Sequence, residues 1–125
     1  MILELLMAVA VITSYRPVPE QTDSSPFITS TGERVRRGGI AVSQDLLCPA
    51  ALFKDLRIKR HKRETCHLRE KVHYGDRLKV EGFKQTFTVF DCMNKRHKKR
   101  VDILVFTYEE EKAINVKTGR VWRVN

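Results

Sequence analysis

Cysteine is scarce and odd in number. The three, Cys48, Cys66 and Cys92, are irregularly spaced and cannot form the dense disulfide framework of a small secreted scaffold. One pair plus a thiol remains open. No C-x-x-C occurs to accompany the H-x₅-H of His61 and His67, so the nearness of Cys48, His61, Cys66 and His67 lacks the paired-cysteine spacing of a zinc site, and no metal or other cofactor is expected. Long apolar runs are missing too. Met1–Ile12 is apolar except for Glu4, but it is far too short to span a bilayer and lacks a cationic leader; it reads as core strand, with no export signal evident. No internal repeat is present. Aromatics are few, and none interrupts the most basic segments. That weighs against nucleic acid as the partner, since single-stranded binders interleave rings with cations for base stacking.

What the chain does have is positive charge, unevenly placed. The net charge is +9 over 125 residues. Lys54–Lys71 carries eight Lys/Arg against three Asp/Glu, and Lys95–Arg100 carries five cations and no acid. These two segments hold the entire excess. The partner they imply is an acidic or polyanionic surface met by two loops.

The length suits one domain. Short β-branched and aromatic runs, broken by glycine turns, point to a small mainly β barrel. Ala8–Tyr15, Val35–Val42, Arg77–Val80, Gln85–Phe90, Val101–Thr107 and Arg120–Val124 read as strands. Tyr74-Gly75-Asp76, Glu81–Lys84 and Lys117-Thr118-Gly119 read as turns, and Arg16–Ser30, with three of the four prolines, as a loop. Asp45–Leu47 starts a short helical turn. Glu109–Asn115 is the best helix, opening near Thr107 or Tyr108.

The segment from Phe90 to Ile103 concentrates the chemistry. Asp91 closes one strand and Asp102 opens the next, with a basic loop between them. Two carboxylates at neighbouring strand ends are candidates for acid/base work, because proximity and burial drive their pKa values apart. Capping a loop is the plainer role for the same pair. Like charge would raise one pKa; the five cations at 95, 96, 98, 99 and 100 would lower both. Cys92 lacks any nearby base but His97 and reads as a packed strand-end side chain.

The order of Thr13-Ser14-Tyr15, Thr29-Ser30-Thr31-Gly32, Gly39-Ile40-Ala41-Val42-Ser43, Tyr74-Gly75-Asp76, Val80-Glu81-Gly82, Asp91-Cys92-Met93-Asn94 and Arg100-Val101-Asp102-Ile103 resembles the Asp-Asp-Asp (3D) domain family. That family includes the barrel of membrane-bound lytic transglycosylase A and small phage and bacterial muralytic proteins. The resemblance runs from about Ala10 to Val124. It implies a six-stranded double-psi β-barrel with one or two short helices, a single domain over 1–125 carrying a basic insertion at about 49–73. It also implies cleavage of peptidoglycan between N-acetylmuramic acid and N-acetylglucosamine, with a 1,6-anhydro product. Asp102 would be the acid/base and Asp91 its electrostatic support, while Tyr15, Thr31, Ser43, Tyr74, Lys95, Arg96 and Arg100 would line the substrate. Peptidoglycan or another anionic wall polymer is the implied partner, with virion proteins a further one, in the cell wall or a phage particle. The chain departs from the family pattern at Ser43, where many members carry a third aspartate. A non-catalytic wall-binding or virion module on the same barrel is the alternative.

Overall fold

The computed structural model describes residues 4–17, 37–48, 71–114 and 116–124. Within them lie β1 (Glu4–Tyr15), β2 (Gly39–Val42), a 3₁₀ turn (Gln44–Leu46), β3 (Arg77–Val80), β4 (Thr86–Cys92), β5 (Arg100–Leu104), α1 (Tyr108–Ala113) and β6 (Lys117–Val124). The protein is mainly β, and its six strands close into a barrel in the order β1-β5-β2-β4-β3-β6. The pairs β1/β5 and β2/β4 are parallel and the other four antiparallel, an arrangement compatible with a double-psi barrel.

Period-2 alternation builds the interior. Ile12, Ile40, Val42, Leu78, Val80, Val89, Val101 and Val121 are fully or almost fully buried in one cluster. Each such aliphatic side chain contributes roughly 1.5–3 kcal/mol by leaving water. Register breaks mark two bulges, between Leu6 and Ala8 on β1 and between Ile40 and Ala41 on the β2/β4 ladder. The second inserts Phe90 into β4 as the unpaired residue, since Ile40 faces Val89 while Ala41 faces Asp91.

Several elements differ from the sequence expectation. The region Lys117–Gly119 is strand rather than turn: β6 begins at Lys117 and pairs with Ile12 of β1. Gly119 permits that, because a Cβ there would sit 2.8 Å from Ile12 Cδ1. β2 is shorter than Val35–Val42, beginning at Gly39 after a turn at Arg37-Gly38. β5 ends at Leu104 instead of Thr107. The chain must leave the sheet there to place Thr107 as the cap of α1, its Oγ1 accepting the Glu110 N–H at 3.0 Å. Three glutamates follow in the first turn, favourably placed for the helix dipole. Six residues do not sustain a helix alone. Two arginines dock it: Arg16 pairs with Glu111 at 3.4 Å, and Arg37 with Glu110 at 2.5 Å. Both guanidiniums also stack on rings flanking or within the helix, Tyr108 and Phe106.

Cys48 is disulfide-bonded, whereas Cys92 keeps its thiol and packs against the main core. Thr31 and most of the basic insertion (49–70) lie outside the described residues. No helix among the described residues is long and apolar enough to cross a membrane.

Candidate functional site

β4 and β5 are not neighbours. β2 lies between them, parallel to β4 and antiparallel to β5. Asp91 and Asp102 therefore do not meet at adjacent strand ends. Both sit inside strands, and both face Ala41 of β2 across the two ladders. β5 then pairs with β1, where Asp102 faces Thr13. Asp91, Ala41, Asp102 and Thr13 thus form one row across four strands. With strands about 4.8 Å apart, the two aspartate Cα atoms are about 10 Å apart. Only the methyl group of Ala41 stands between their side chains in that row.

The row lies outside the main core. Val101 and Ile103 point into the barrel, so Asp102 points out; the same alternation on β1 sends Ile12 in and Thr13 out. A second, smaller apolar cluster occupies this outer face: Tyr15, Ala41 and Leu104, with Met93 packed on it. The acids are set beside an apolar wall instead of in open water.

That wall decides the electrostatics. Burial pushes the Asp102 carboxyl up from its ordinary 3.8 to about 6. The Thr13 hydroxyl, donating to Asp102 Oδ1 at 2.8 Å, and the Arg100 charge work against this; the charges of Glu111 and Asp91 add to it. Like charge from Asp91 is thus a minor contributor behind desolvation. Of the loop cations, Arg100 is the one among the main influences on Asp102. Tyr15 responds to the same surroundings. Burial, then Asp91, then Asp102 drive its phenol far above its ordinary value, so it remains a neutral hydroxyl beside two carboxylates. Asp91 Oδ1 accepts the N–H of Cys92 at 2.9 Å.

Thr13 gives a direct check. Thr13→Val removes the hydrogen bond, among the described residues, that holds Asp102 toward its ionised form while keeping the side-chain shape. The Asp102 titration midpoint, followed by carboxyl NMR, is expected to rise further above its wild-type position. A fall or no change would mean the Thr13 contact does not act on the carboxyl.

The other sequence-selected residues separate into groups. Ser43 is fully buried; its Oγ accepts the Arg100 N–H at 3.0 Å and donates to Asp45, so it anchors a turn and meets no solvent. Tyr74 packs against the main core in the turn before β3, not on the outer cluster with Tyr15. Lys95 and Arg96 are exposed at the tip of the 93–99 loop, and Arg100 is half-buried at its base. The site also includes groups that sequence reasoning passed over. Thr13 had a signal, because alternation outward from Ile12 puts a small hydroxyl on the acid face. Glu111 had none. It reaches the site from α1, where its backbone carbonyl accepts the Ser14 hydroxyl at 3.4 Å and its carboxylate holds Arg16.

Among the described residues, no group of three or more His, Cys, Asp or Glu is placed to hold a metal ion. The arrangement can donate and accept a proton near neutral pH from Asp102, beside a fixed hydroxyl and a second carboxyl. No protein-family model matches the chain, and no curated protein matches it either.

Proposed function

We propose that the chain is a lytic-transglycosylase-like protein of the 3D type, on a double-psi barrel, acting on the bond between N-acetylmuramic acid and N-acetylglucosamine in peptidoglycan. The observation that carries this reading is the Asp102 carboxyl, raised to about 6 by burial on an outer barrel face. A group with that pKa holds a proton for part of its population and releases it readily, which is what a single acid/base residue must do. As the acid, Asp102 gives its proton to the glycosidic oxygen while the C1–O bond breaks. As the resulting carboxylate, it takes the proton of the muramoyl C6 hydroxyl, whose oxygen closes on C1. The 1,6-anhydro ring forms without water. Asp91, one strand beyond Ala41, is the second carboxyl that favours an oxocarbenium-like transition state. Tyr15 is a neutral donor for sugar hydroxyls. The cell wall, reached directly or from a phage particle, is the proposed place of action.

A non-catalytic wall-binding module is the second reading, and one observation favours it: Arg100 opposes the protonated form of Asp102. A digest separates the two. Purified peptidoglycan incubated with the protein is expected to release anhydro-muropeptides detectable by mass spectrometry. Wall binding without any anhydro product would leave the binding module.

A further inference from the structure

The basic 93–99 loop joins β4 to β5 across the end of β2, and it is fastened there at both ends. On one side Met93 N–H donates to Val42 O at 2.9 Å, and Gln44 Nε2 donates to Met93 O at 3.3 Å. On the other, Lys99 N–H donates to Asp45 Oδ2 at 2.9 Å, and Arg100 N–H to Ser43 Oγ at 3.0 Å. Val11 N–H holds the Lys99 carbonyl at 2.9 Å. Lys99 takes a left-handed φ of 43° within this frame. At the tip, Asn94 closes the turn, its side chain accepting Arg96 N–H at 3.1 Å and its carbonyl accepting His97 N–H at 3.0 Å. The loop is a built scaffold.

Its side chains present an unresolved problem. The His97 ring lies between two guanidiniums: Arg96 Nε is 3.4 Å from Nε2, and Arg100 NH1 is 3.3 Å from Nδ1. A guanidinium only donates, and a neutral imidazole has one acceptor nitrogen and one N–H. One of the two contacts therefore sets donor against donor, and protonating the ring makes both so. Arg100 Nε is buried with no hydrogen-bond partner among the described residues. No carboxylate among the described residues forms an ion pair with Lys95, Arg96, Lys98, Lys99 or Arg100. Among the described residues the trio has donors on three sides and no carboxylate to accept from them.

We infer that Arg96, His97 and Arg100 form a receptor for a tetrahedral oxyanion of the phosphate class, with a proton taken up at His97 when the anion binds. The anion accepts from both guanidiniums and from the ring, which removes the donor–donor conflict. Tetrahedral geometry supplies acceptors in the divergent directions that three donors need, where a planar carboxylate serves one fork well. The flanking Lys95, Lys98 and Lys99 raise the local potential for a multiply charged ligand. The site does not depend on glycan cleavage by Asp102 and stands or falls separately.

The proton linkage follows from the groups around the ring. Burial first, then the charges of Arg100 and Arg96, hold the His97 pKa below its ordinary value. From the 44–46 turn, burial alone would raise the Asp45 carboxyl, but Ser43, the Lys99 N–H and Lys98 outweigh it, so Asp45 stays ionised and spent on the loop backbone. From β5, Asp102 faces Arg100 and not the ring. From β1, the Val11 N–H meets the Lys99 carbonyl. An anion held against the ring favours the imidazolium, so the His97 pKa rises on binding. Affinity accordingly increases as pH falls through the histidine range.

The test uses the full chain and three probes, with His97 ring and arginine side-chain resonances followed by NMR. Dimethyl phosphate keeps one charge throughout the range, so its pH dependence reports the protein. It is expected to bind saturably, to raise the His97 midpoint, and to bind about tenfold more tightly near pH 5 than near pH 8. Inorganic phosphate and a short glycerol-phosphate phosphodiester oligomer separate the sources: equal affinities assign a small free anion, and a much tighter oligomer assigns a polymer. Arg96→Gln, at an exposed position, is expected to weaken binding at least tenfold. His97→Gln should weaken it and also flatten the pH dependence, whereas Lys84→Gln on the distant 81–85 turn should change neither. Shifts that never saturate, a His97 midpoint that ignores the probes, or an Arg96→Gln variant that binds as wild type would overturn the proposal.

Discussion

Asp102→Asn is expected to lower release of anhydro-muropeptides by about 10²- to 10⁴-fold, the range that a positioned general acid/base supplies. The amide keeps the shape of the side chain and its acceptor oxygen for the Thr13 hydroxyl at 2.8 Å, so the barrel and its outer face persist. What it loses is the transferable proton. Asp91→Asn is expected to cost less, because Asp91 acts through charge and lies beyond Ala41 from Asp102. The wild-type rate should also carry a pH signature. Asp102 must be protonated to open the glycosidic bond, and its pKa is about 6, so the rate should fall as pH rises through that value. The measurement is anhydro-muropeptide release over time at several pH values. Equal wild-type and Asp102→Asn rates would remove Asp102 from the chemistry.

The barrel was legible because its signals are local. Leu78, Val80, Phe87 and Val101 alternate with polar neighbours, and Gly75 and Gly82 take the positive φ values of 92° that mark their turns. The helix was legible through Thr107 and the glutamates behind it. Strand neighbours were not. Asp91 and Asp102 are joined by a short loop, and a short loop normally joins adjacent antiparallel strands. Here β2, drawn from far earlier in the chain, inserts between them, a long-range pairing that no local pattern encodes. The same insertion explains why the aspartates are interior strand residues and why the basic loop is anchored on Val42–Asp45. Glu111 and the outer cluster of Tyr15, Ala41 and Leu104 were hidden for a related reason: their contact depends on how α1 and three strands come together. The cause of the raised Asp102 pKa followed suit. Charges can be counted along a sequence, but the burial that outweighs them is a property of packing.

Burial of Asp102 also carries a cost in stability, and its sign is fixed. The folded state binds the Asp102 proton more tightly than the unfolded chain does, since the pKa is about 6 in one and near the ordinary 3.8 in the other. The stability that the Asp102 proton contributes is therefore fully present below the ordinary carboxylate range and is lost as pH rises from there to about 6, above which the folded protein must hold a buried carboxylate. A difference of about two pH units corresponds to roughly 3 kcal/mol at about 1.4 kcal/mol per unit. That is a large share of the 5–15 kcal/mol typical of a domain. Asp102→Asn removes the ionisation and keeps the Thr13 contact, so it should stabilise the protein at neutral pH by about 1–3 kcal/mol while sharply lowering cleavage, as expected where an active group is held in surroundings that disfavour it. Urea unfolding of both proteins from about pH 4 to pH 8 checks this. The two curves should nearly coincide at the acid end, separate through about pH 6 and then run parallel. A constant offset across the range would mean that burial does not set the Asp102 pKa, and with it would go the reason for assigning the acid/base role to Asp102.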